Sequence, residues 1–266
     1  MKVDIGLAVF CGVSYKKHIE CLKMVGVNHT FISSEDNDFD ETMKAFLENG
    51  ITCDNLHSPF DKINDMWSDS EDGDRMLERL IDCVDKCAKY SIPAMILHVS
   101  SGRPMAPITE IGDKRYKKLM DYAKEKGVKI AYENLRYLEN LQHNLDLYPE
   151  SVFCWDCGHE YCYTPGIRYI PMYGKRLGAL HFHDNACGVD TDDHVVPFDG
   201  RIDFDVIAKD LAESGYEGTL MLEITPDAKY EGKEIYKDIS IEEYYEKAAS
   251  AARKLVQMVE EYRKKI

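Results

Sequence analysis

Eight short apolar runs alternate with longer amphipathic stretches from one end of the chain to the other, and this alternation restricts the fold more than any other feature. The runs cover 3–10, 29–33, 51–58, 94–100, 129–135, 152–158, 177–184 and 218–224. They are rich in β-branched and aromatic residues and mostly apolar on both faces, as strands of a parallel sheet covered on both sides must be. Between them the spacing predicts helices. Met76, Leu80, Val84 and Cys87 form a stripe within 72–90; Leu119, Met120 and Ala123 do so within 111–126; Ala248, Ala252, Leu255 and Val259 do so within 241–264. Asn49-Gly50, Lys126-Gly127 and Ser214-Gly215 are turn signals where helices give way to strands. Sharing 266 residues among eight units gives about 33 each, the size of a βα repeat. No Ser/Gly/Pro-rich linker divides the chain. The expectation is one α/β domain over residues 1–266, a single (β/α)8 TIM barrel. A doubly wound open sheet is the alternative, but the turn after the first run, Cys11-Gly12-Val13-Ser14, lacks the GxGxxG of a nucleotide-binding sheet.

What ends these strands points to chemistry. Leu56 is followed by His57, Leu97 by His98, Tyr132 by Glu133 and Leu222 by Glu223. Trp155 leads to Asp156 with His159 three residues on, and Leu180 leads to His181 and His183. In a barrel all these ends open on one face, where reacting groups gather. A lone strand-end histidine is usually a hydrogen-bonded rim residue, and a lone glutamate could pair with an arginine. Three carboxylates converging at buried strand ends would repel one another, however, and unpaired buried charge is costly. A divalent cation resolves the conflict. Carboxylates mixed with imidazole suit zinc or manganese first, with iron, cobalt or magnesium also compatible. Cys154 and Cys157 flank Asp156, but no further cysteine completes a thiolate set, so packing accounts for both. Asp192-Asp193-His194 follows the seventh strand and is weak as an isolated motif. It gains weight because its loop leaves the strand that carries His181 and His183.

Charge and cysteine content bound the partners. A net charge of −15 argues against a general nucleic-acid coat. Lys114-Arg115-Tyr116-Lys117-Lys118 and Arg263-Lys264-Lys265 read as solvated faces of mixed-charge helices. Nine cysteines, an odd number without paired CxxC modules, indicate neither a disulfide framework nor a zinc ribbon. No apolar run reaches the ~18 residues of a membrane helix, and 1–10 lacks a signal-peptide pattern, so a cytoplasmic location is expected.

These stretches together resemble the xylose isomerase-like barrels, which include sugar and sugar-phosphate isomerases and epimerases and the endonuclease IV-type enzymes. The resemblance is carried by Leu56-His57-Ser58-Pro59, Leu97-His98, Tyr132-Glu133-Asn134, Asp156-Cys157-Gly158-His159, His181-Phe182-His183-Asp184, Asp192-Asp193-His194 and Leu222-Glu223, in that order. It implies that Glu133, Asp156, His181 and Glu223 hold one catalytic divalent metal. In the epimerase branch it also implies that Glu133 and Glu223 act as the acid/base pair. The endonuclease branch adds ligands for a trinuclear zinc site, and His57, His98, His159, Asp192 and His194 match those positions. Departures distinguish the branches. Asp193 stands where the endonucleases carry Arg, Phe198-Asp199-Gly200 replaces their Gly-x-Gly, and Tyr163-Thr164 replaces their Ala-Gly. Cys187 stands where free-ketohexose epimerases carry an Arg.

The expected function is therefore a metal-dependent isomerase or epimerase acting on a sugar, sugar phosphate or polyol-derived substrate. One glutamate removes a proton next to a metal-polarised carbonyl, the other returns it, and the metal stabilises the enediolate between. His57, His98, His159 and His183 would position hydroxyls, with Asp192 and His194 as substrate contacts or additional metal ligands. Trp67 either roofs the pocket or packs in its loop. Arg103, Arg168 and Arg201 could supply a small positive patch at the barrel mouth. The expected partner is a small carbohydrate, with no nucleic acid and no membrane; a homo-oligomer is compatible with the sequence. The alternatives are a zinc phosphodiesterase acting on abasic DNA and a non-catalytic sugar-binding barrel.

Overall fold

The inward-facing positions of the strands are apolar and mostly small, as the interior of a closed sheet requires. The computed structural model describes residues 3–10 and 12–266, so Cys11 of the first turn lies outside the described residues. Eight parallel strands make the sheet: β1 (Ile5–Val9), β2 (His29–Ser33), β3 (Thr52–His57), β4 (Ala94–Leu97), β5 (Lys129–Glu133), β6 (Val152–Asp156), β7 (Leu177–His181) and β8 (Leu220–Ile224). Their order is β7-β6-β5-β4-β3-β2-β1-β8. A parallel bridge between Phe182 and Leu222, just past β7, brings β7 against β8 and closes the ring. The fold is a single (β/α)8 TIM barrel.

Nine α-helices accompany the strands among the described residues: α1 (Tyr15–Met24), α2 (Phe39–Glu48), α3 (Glu71–Tyr90), α4 (Glu110–Lys126), α5 (Leu138–Leu147), α6 (Cys157–Cys162), α7 (Tyr169–Tyr173), α8 (Phe204–Ser214) and α9 (Ile241–Arg263). Local chemistry starts and stops them. Ser14, Ser70, Thr109 and Ser240 accept N–H groups of the first turns, Ser240 in a reciprocal capping box with Glu243. Gly127 and Gly215 close α4 and α8 at φ 72°, which favours glycine. No helix among the described residues is long and apolar enough to cross a membrane.

Two apolar layers result. The larger lies between sheet and helices. Inside the barrel, Ile96, Ala131, Cys154 and Ala179 form one small cluster and Ala8, Phe31 and Met221 another. Side chains alternate along a strand, so the residue two positions on faces the same way. Two past Ile96, Ala131, Cys154, Ala179 and Met221 come His98, Glu133, Asp156, His181 and Glu223. The pleat alone therefore aims all five at the barrel axis on one rim.

Two sequence expectations change. Arg115 is not on a solvated face: it is buried at 4% exposure, while Lys114, Lys117 and Lys118 are exposed. Its guanidinium donates to the carbonyls of Met66, Ser68 and Ser70 and to Asp74 at 3.0 Å. It gathers the carbonyls of a turn distant in sequence, which local charge pattern cannot reveal. Trp67 does not roof the cavity. It is buried against Tyr116, donates Nε1–H to the Val99 carbonyl at 2.8 Å, and packs where a Cβ on Gly112 would lie 2.1 Å from its ring.

Candidate active site

A cavity of about 580 Å³ opens at the C-terminal rim, lined by the side chains of His57, His98, Glu133, His159, Asp192, His194 and Glu223 among others. Its floor is built around His181. The His181 Nδ1 lies 3.2 Å from Glu133 Oε1 and 3.1 Å from Glu223 Oε2, and Phe31 stacks on the ring at 4.6 Å. His98 Nε2 is 3.0 Å from Glu133 Oε2, and His57 Nε2 is 3.6 Å from the same oxygen. Asp156 caps α6, its Oδ1 accepting the His159 N–H at 2.7 Å. The Asn134 amide ties β5 to β6 by bonding both the N–H and the carbonyl of Asp156 at 2.8 Å.

A second cluster adjoins the first. Asp192 Oδ1 lies 3.4 Å from both His183 Nε2 and His194 Nε2, and Asp192 Oδ2 lies 3.4 Å from His159 Nε2. His183 and His194 stack at 4.0 Å, and His183 Nε2 is 3.3 Å from Asp156 Oδ1. The loop carrying Asp192 and His194 is anchored by Asp184, whose carboxylate accepts the backbone N–H groups of Asn185, Phe198, Gly200 and Ile202 at 2.8–3.0 Å.

All ten residues expected from the strand ends and the Asp-x-His loop thus meet at one rim. Their donor atoms fall into groups lying within 4.8 Å: Glu133/Asp156/His181/Glu223, His57/His98/Glu133 and His159/His183/Asp192/His194. Glu133, Cys154 and His181 form another such group. Burial pushes the Cys154 thiol up to about 12, so it sits beneath the carboxylates as a neutral packing group.

The electrostatics favour added positive charge. Burial works to raise Glu133, but His181 and the bonds from His57 and His98 outweigh it and hold the carboxyl well below its usual range. Glu223 is lowered in the same way, chiefly by His181 against burial. Burial works to lower His194, yet Asp192 and Glu223 raise it to about 10, and His159 is raised likewise by Asp156 and Asp192.

A divalent cation fits these donors. The rings of His57, His159, His183 and His194 each direct Nδ1 at a backbone carbonyl, those of Ser58, Asn134, Asp184 and Glu223, at 2.8–3.3 Å. A carbonyl only accepts, so Nδ1 keeps its proton in each ring. A cation displacing the second proton that His159 and His194 hold toward Asp192 would meet an inward Nε2 lone pair, the arrangement typical of metal-binding histidines. Asp156 Oδ2, His183 Nε2 and Asp192 Oδ1 are buried without a hydrogen-bond partner. A cation supplies what each lacks.

Sequence reasoning missed Phe10, Phe60, Arg136 and Tyr163, which also line the cavity. Arg136 stands three residues past Glu133, where a charge just beyond a site strand was the available signal. Of the three arginines expected at the mouth, Arg168 is neutralised by Glu160 and Asp210 and Arg201 by Glu231, while Arg103 shares Asp190 with Arg136. Asp193 is also committed, accepting the Ala186 N–H at 2.9 Å.

A closed parallel barrel with carboxylates and imidazoles converging at its C-terminal rim defines the class. The chain belongs to the xylose isomerase-like TIM barrel family, whose model matches residues 19–255. It is 32% identical over 200 residues to an uncharacterized protein, y4fM, of Sinorhizobium fredii, covering 69% of this chain and 61% of that protein. It is 29% identical over 133 residues to an inosose dehydratase of Clostridium perfringens, covering 41% of this chain and 45% of the dehydratase. The chain thus spans less than two thirds of the length of both curated relatives. Among solved structures it is similar to D-psicose 3-epimerase with D-tagatose from Clostridium cellulolyticum H10, with a TM-score of 0.75, 18% identity and coverage of 97% and 99% of the two chains. It is also similar to the IolI protein with a binding zinc atom, with a TM-score of 0.71, 17% identity and coverage of 98% and 99%.

Proposed function

We propose that the chain is a metal-dependent isomerase or epimerase of a sugar or polyol-derived carbonyl compound, with Glu133 and Glu223 as its proton-transfer pair. The observation that carries this reading is the convergence of two ionised, buried glutamates on His181 Nδ1, both lining one sugar-sized cavity. Glu133, Asp156, His181 and Glu223 would hold the divalent ion. When bound, it supplies Lewis-acid charge that acidifies the C–H next to a carbonyl. Because surrounding imidazoles keep both carboxyls deprotonated, either is ready to act as base. One glutamate takes the proton from the carbon beside the carbonyl. For epimerisation its counterpart first takes a proton from solvent and delivers it to the opposite face, while the first glutamate afterwards releases its own to solvent. For isomerisation the same residue delivers its proton to the neighbouring carbon. His57 and His98 line the cavity, where they would orient substrate hydroxyls. The eight free cysteines among the described residues suit a reducing, cytoplasmic setting.

The test is exchange of a substrate C–H with deuterated solvent. Wild-type protein loaded with zinc or manganese should incorporate deuterium, and Glu133→Gln and Glu223→Gln should each abolish incorporation with the fold intact. Product formed without any solvent exchange would point to a hydride shift and leave the glutamates as ligands only. Loss of water after the same first step would be the outcome expected of an inosose dehydratase. Binding without exchange would favour a non-catalytic barrel.

A second reading is favoured by the three donor groups, whose residues, His183 apart, match the ligand positions that the resemblance implies for the trinuclear endonucleases. It predicts three zinc ions per chain and cleavage at an abasic site. Against it stand the neutralised Arg168 and Arg201, Asp193 braced on its own loop, and the net charge of −15. Nucleic acid is accordingly not the partner we propose.

A further inference from the structure

We propose that the substrate carries an oxyanion, a phosphate or a carboxylate, and that Arg136 is the residue that selects it. The inference rests on the proton-transfer reading above and adds a substrate class to it.

Arg136 lies beyond the end of β5 and lines the same cavity as Glu133, Glu223 and Asp192. Its guanidinium is fixed at one edge and one face. The Nε–H donates to Asp190 Oδ1 at 3.0 Å, and the plane lies over the Tyr163 ring with Cζ 3.7 Å from the centroid. Tyr163 is itself immobilised, its hydroxyl donating to Asp192 Oδ2 at 2.8 Å and its ring stacking on His159 at 4.7 Å. The two terminal NH2 groups have no protein acceptor among the described residues. A half-buried, pre-oriented guanidinium with its fork free on a cavity wall is built for the paired oxygens of a phosphate or carboxylate.

The charge count agrees. Asp190 Oδ1 serves two guanidiniums, those of Arg136 and of Arg103 at 3.4 Å. One carboxylate against two cations leaves an excess of one positive charge at this part of the rim. Arg168 and Arg201 differ, since each is matched by at least one carboxylate of its own. A neutral sugar would leave the excess uncompensated. The competing account is that Arg136 only clamps the loop bearing Asp190 to the end of β5. A clamp needs the Nε contact and the stacking, and it would affect every substrate alike.

The experiment crosses substrate charge with the side chain. Matched open-chain ketoses are offered as the neutral sugar, the terminal phosphate and the terminal carboxylate to wild-type, R136K and R136M proteins, with deuterium incorporation as readout. One anionic class should exceed the neutral sugar in kcat/KM, and which class does so distinguishes phosphate from carboxylate. R136M should raise KM for that anion about 10- to 100-fold more than for the neutral sugar, the range of a lost charge-assisted hydrogen bond, and R136K should recover part of the loss. Equal losses for neutral and charged substrates would reveal a clamp and overturn the proposal, as would a wild-type preference for the neutral sugar. Titration calorimetry with inorganic phosphate and with acetate separates this from failure of the proton-transfer reading. Anion binding lost in R136M and kept in E133Q supports the proposal even if no sugar exchanges, in which case the proton-transfer reading falls alone. Anion binding unchanged in R136M overturns it.

Discussion

Replacing Asp184 by Asn tests how the second cluster is held in place. The Asp184 carboxylate accepts four backbone N–H groups, Oδ1 those of Asn185 and Ile202 and Oδ2 those of Phe198 and Gly200. An amide keeps one oxygen and turns an NH2 group toward the other two donors. Two buried N–H groups then lose their acceptor, at about 1–3 kcal/mol each, so the substitution should cost about 4 kcal/mol. The loop can detach without melting the barrel, because its own backbone ladder is a single antiparallel bridge between Asp184 and Val195. The cost should therefore appear as local opening. Hydrogen exchange read by mass spectrometry should show peptides within 185–202 exchanging about a thousandfold faster, since ~1.4 kcal/mol is a factor of ten. Peptides of β3 to β5 should be unaffected. Unchanged exchange at Phe198 and Gly200 would refute the anchor argument, and uniform acceleration across the barrel would show that the loop is not a separable unit.

Two further outcomes follow from buried geometry. Burial lowers the His18 pKa to about 4; its Nε2 lies 3.0 Å from Thr30 Oγ1, whose proton goes to the Leu7 carbonyl, so Nε2 donates and Nδ1 accepts from Tyr245. A neutral ring with a lowered folded pKa stabilises fully above pH 6.5 and loses that contribution as pH falls toward 4. Urea unfolding should thus lose about 2 kcal/mol from this residue between pH 7.5 and 5, a share absent from His18→Gln. A wild-type slope equal to the variant's would refute it. In Gly158→Ala the new Cβ would lie 2.0 Å from the His183 ring, displacing it from Asp192. With the one ion held by Glu133, Asp156, His181 and Glu223, zinc per chain measured by elemental analysis should be unchanged, and a fall would show that His183 takes part in cation binding.

The strand ends made much of this site legible because the pleat has period two. Once Ile96, Ala131 and Cys154 are inside the barrel, His98, Glu133 and Asp156 must follow them. The turn glycines and the stripes of α3, α4 and α9 were equally local signals. The short α6 and α7, at 6 and 5 residues, offered too few turns for a periodic pattern. Arg115 was misread because the carbonyls it serves belong to a turn some 45 residues earlier. Arg136 and Tyr163 escaped for a related reason. Their place in the wall depends on a stacking contact between two different loops, which neither segment records. The Nδ1 contacts that orient the histidines are also tertiary, made to whichever backbone carbonyl the fold brings near.

The barrel is not equally strong around its circumference. β1 and β8 pair over five residues, from Ile5 with Leu220 to Val9 with Ile224, whereas β7 meets β8 only where Phe182 faces Leu222. Like the single pairing of Gly6 with His29 that joins β1 to β2, that β7–β8 junction is a narrow stave. His181 precedes Phe182 on one side of it and Glu223 follows Leu222 on the other, so an ion gripped by both would act as a rivet through the joint. Loading the ion and keeping the ring shut then become one equilibrium. At a free concentration a hundredfold above Kd, the rivet adds about 2.7 kcal/mol of resistance to parting. A chelator would not merely silence such a protein. It would unlatch the barrel at the place where its site is assembled.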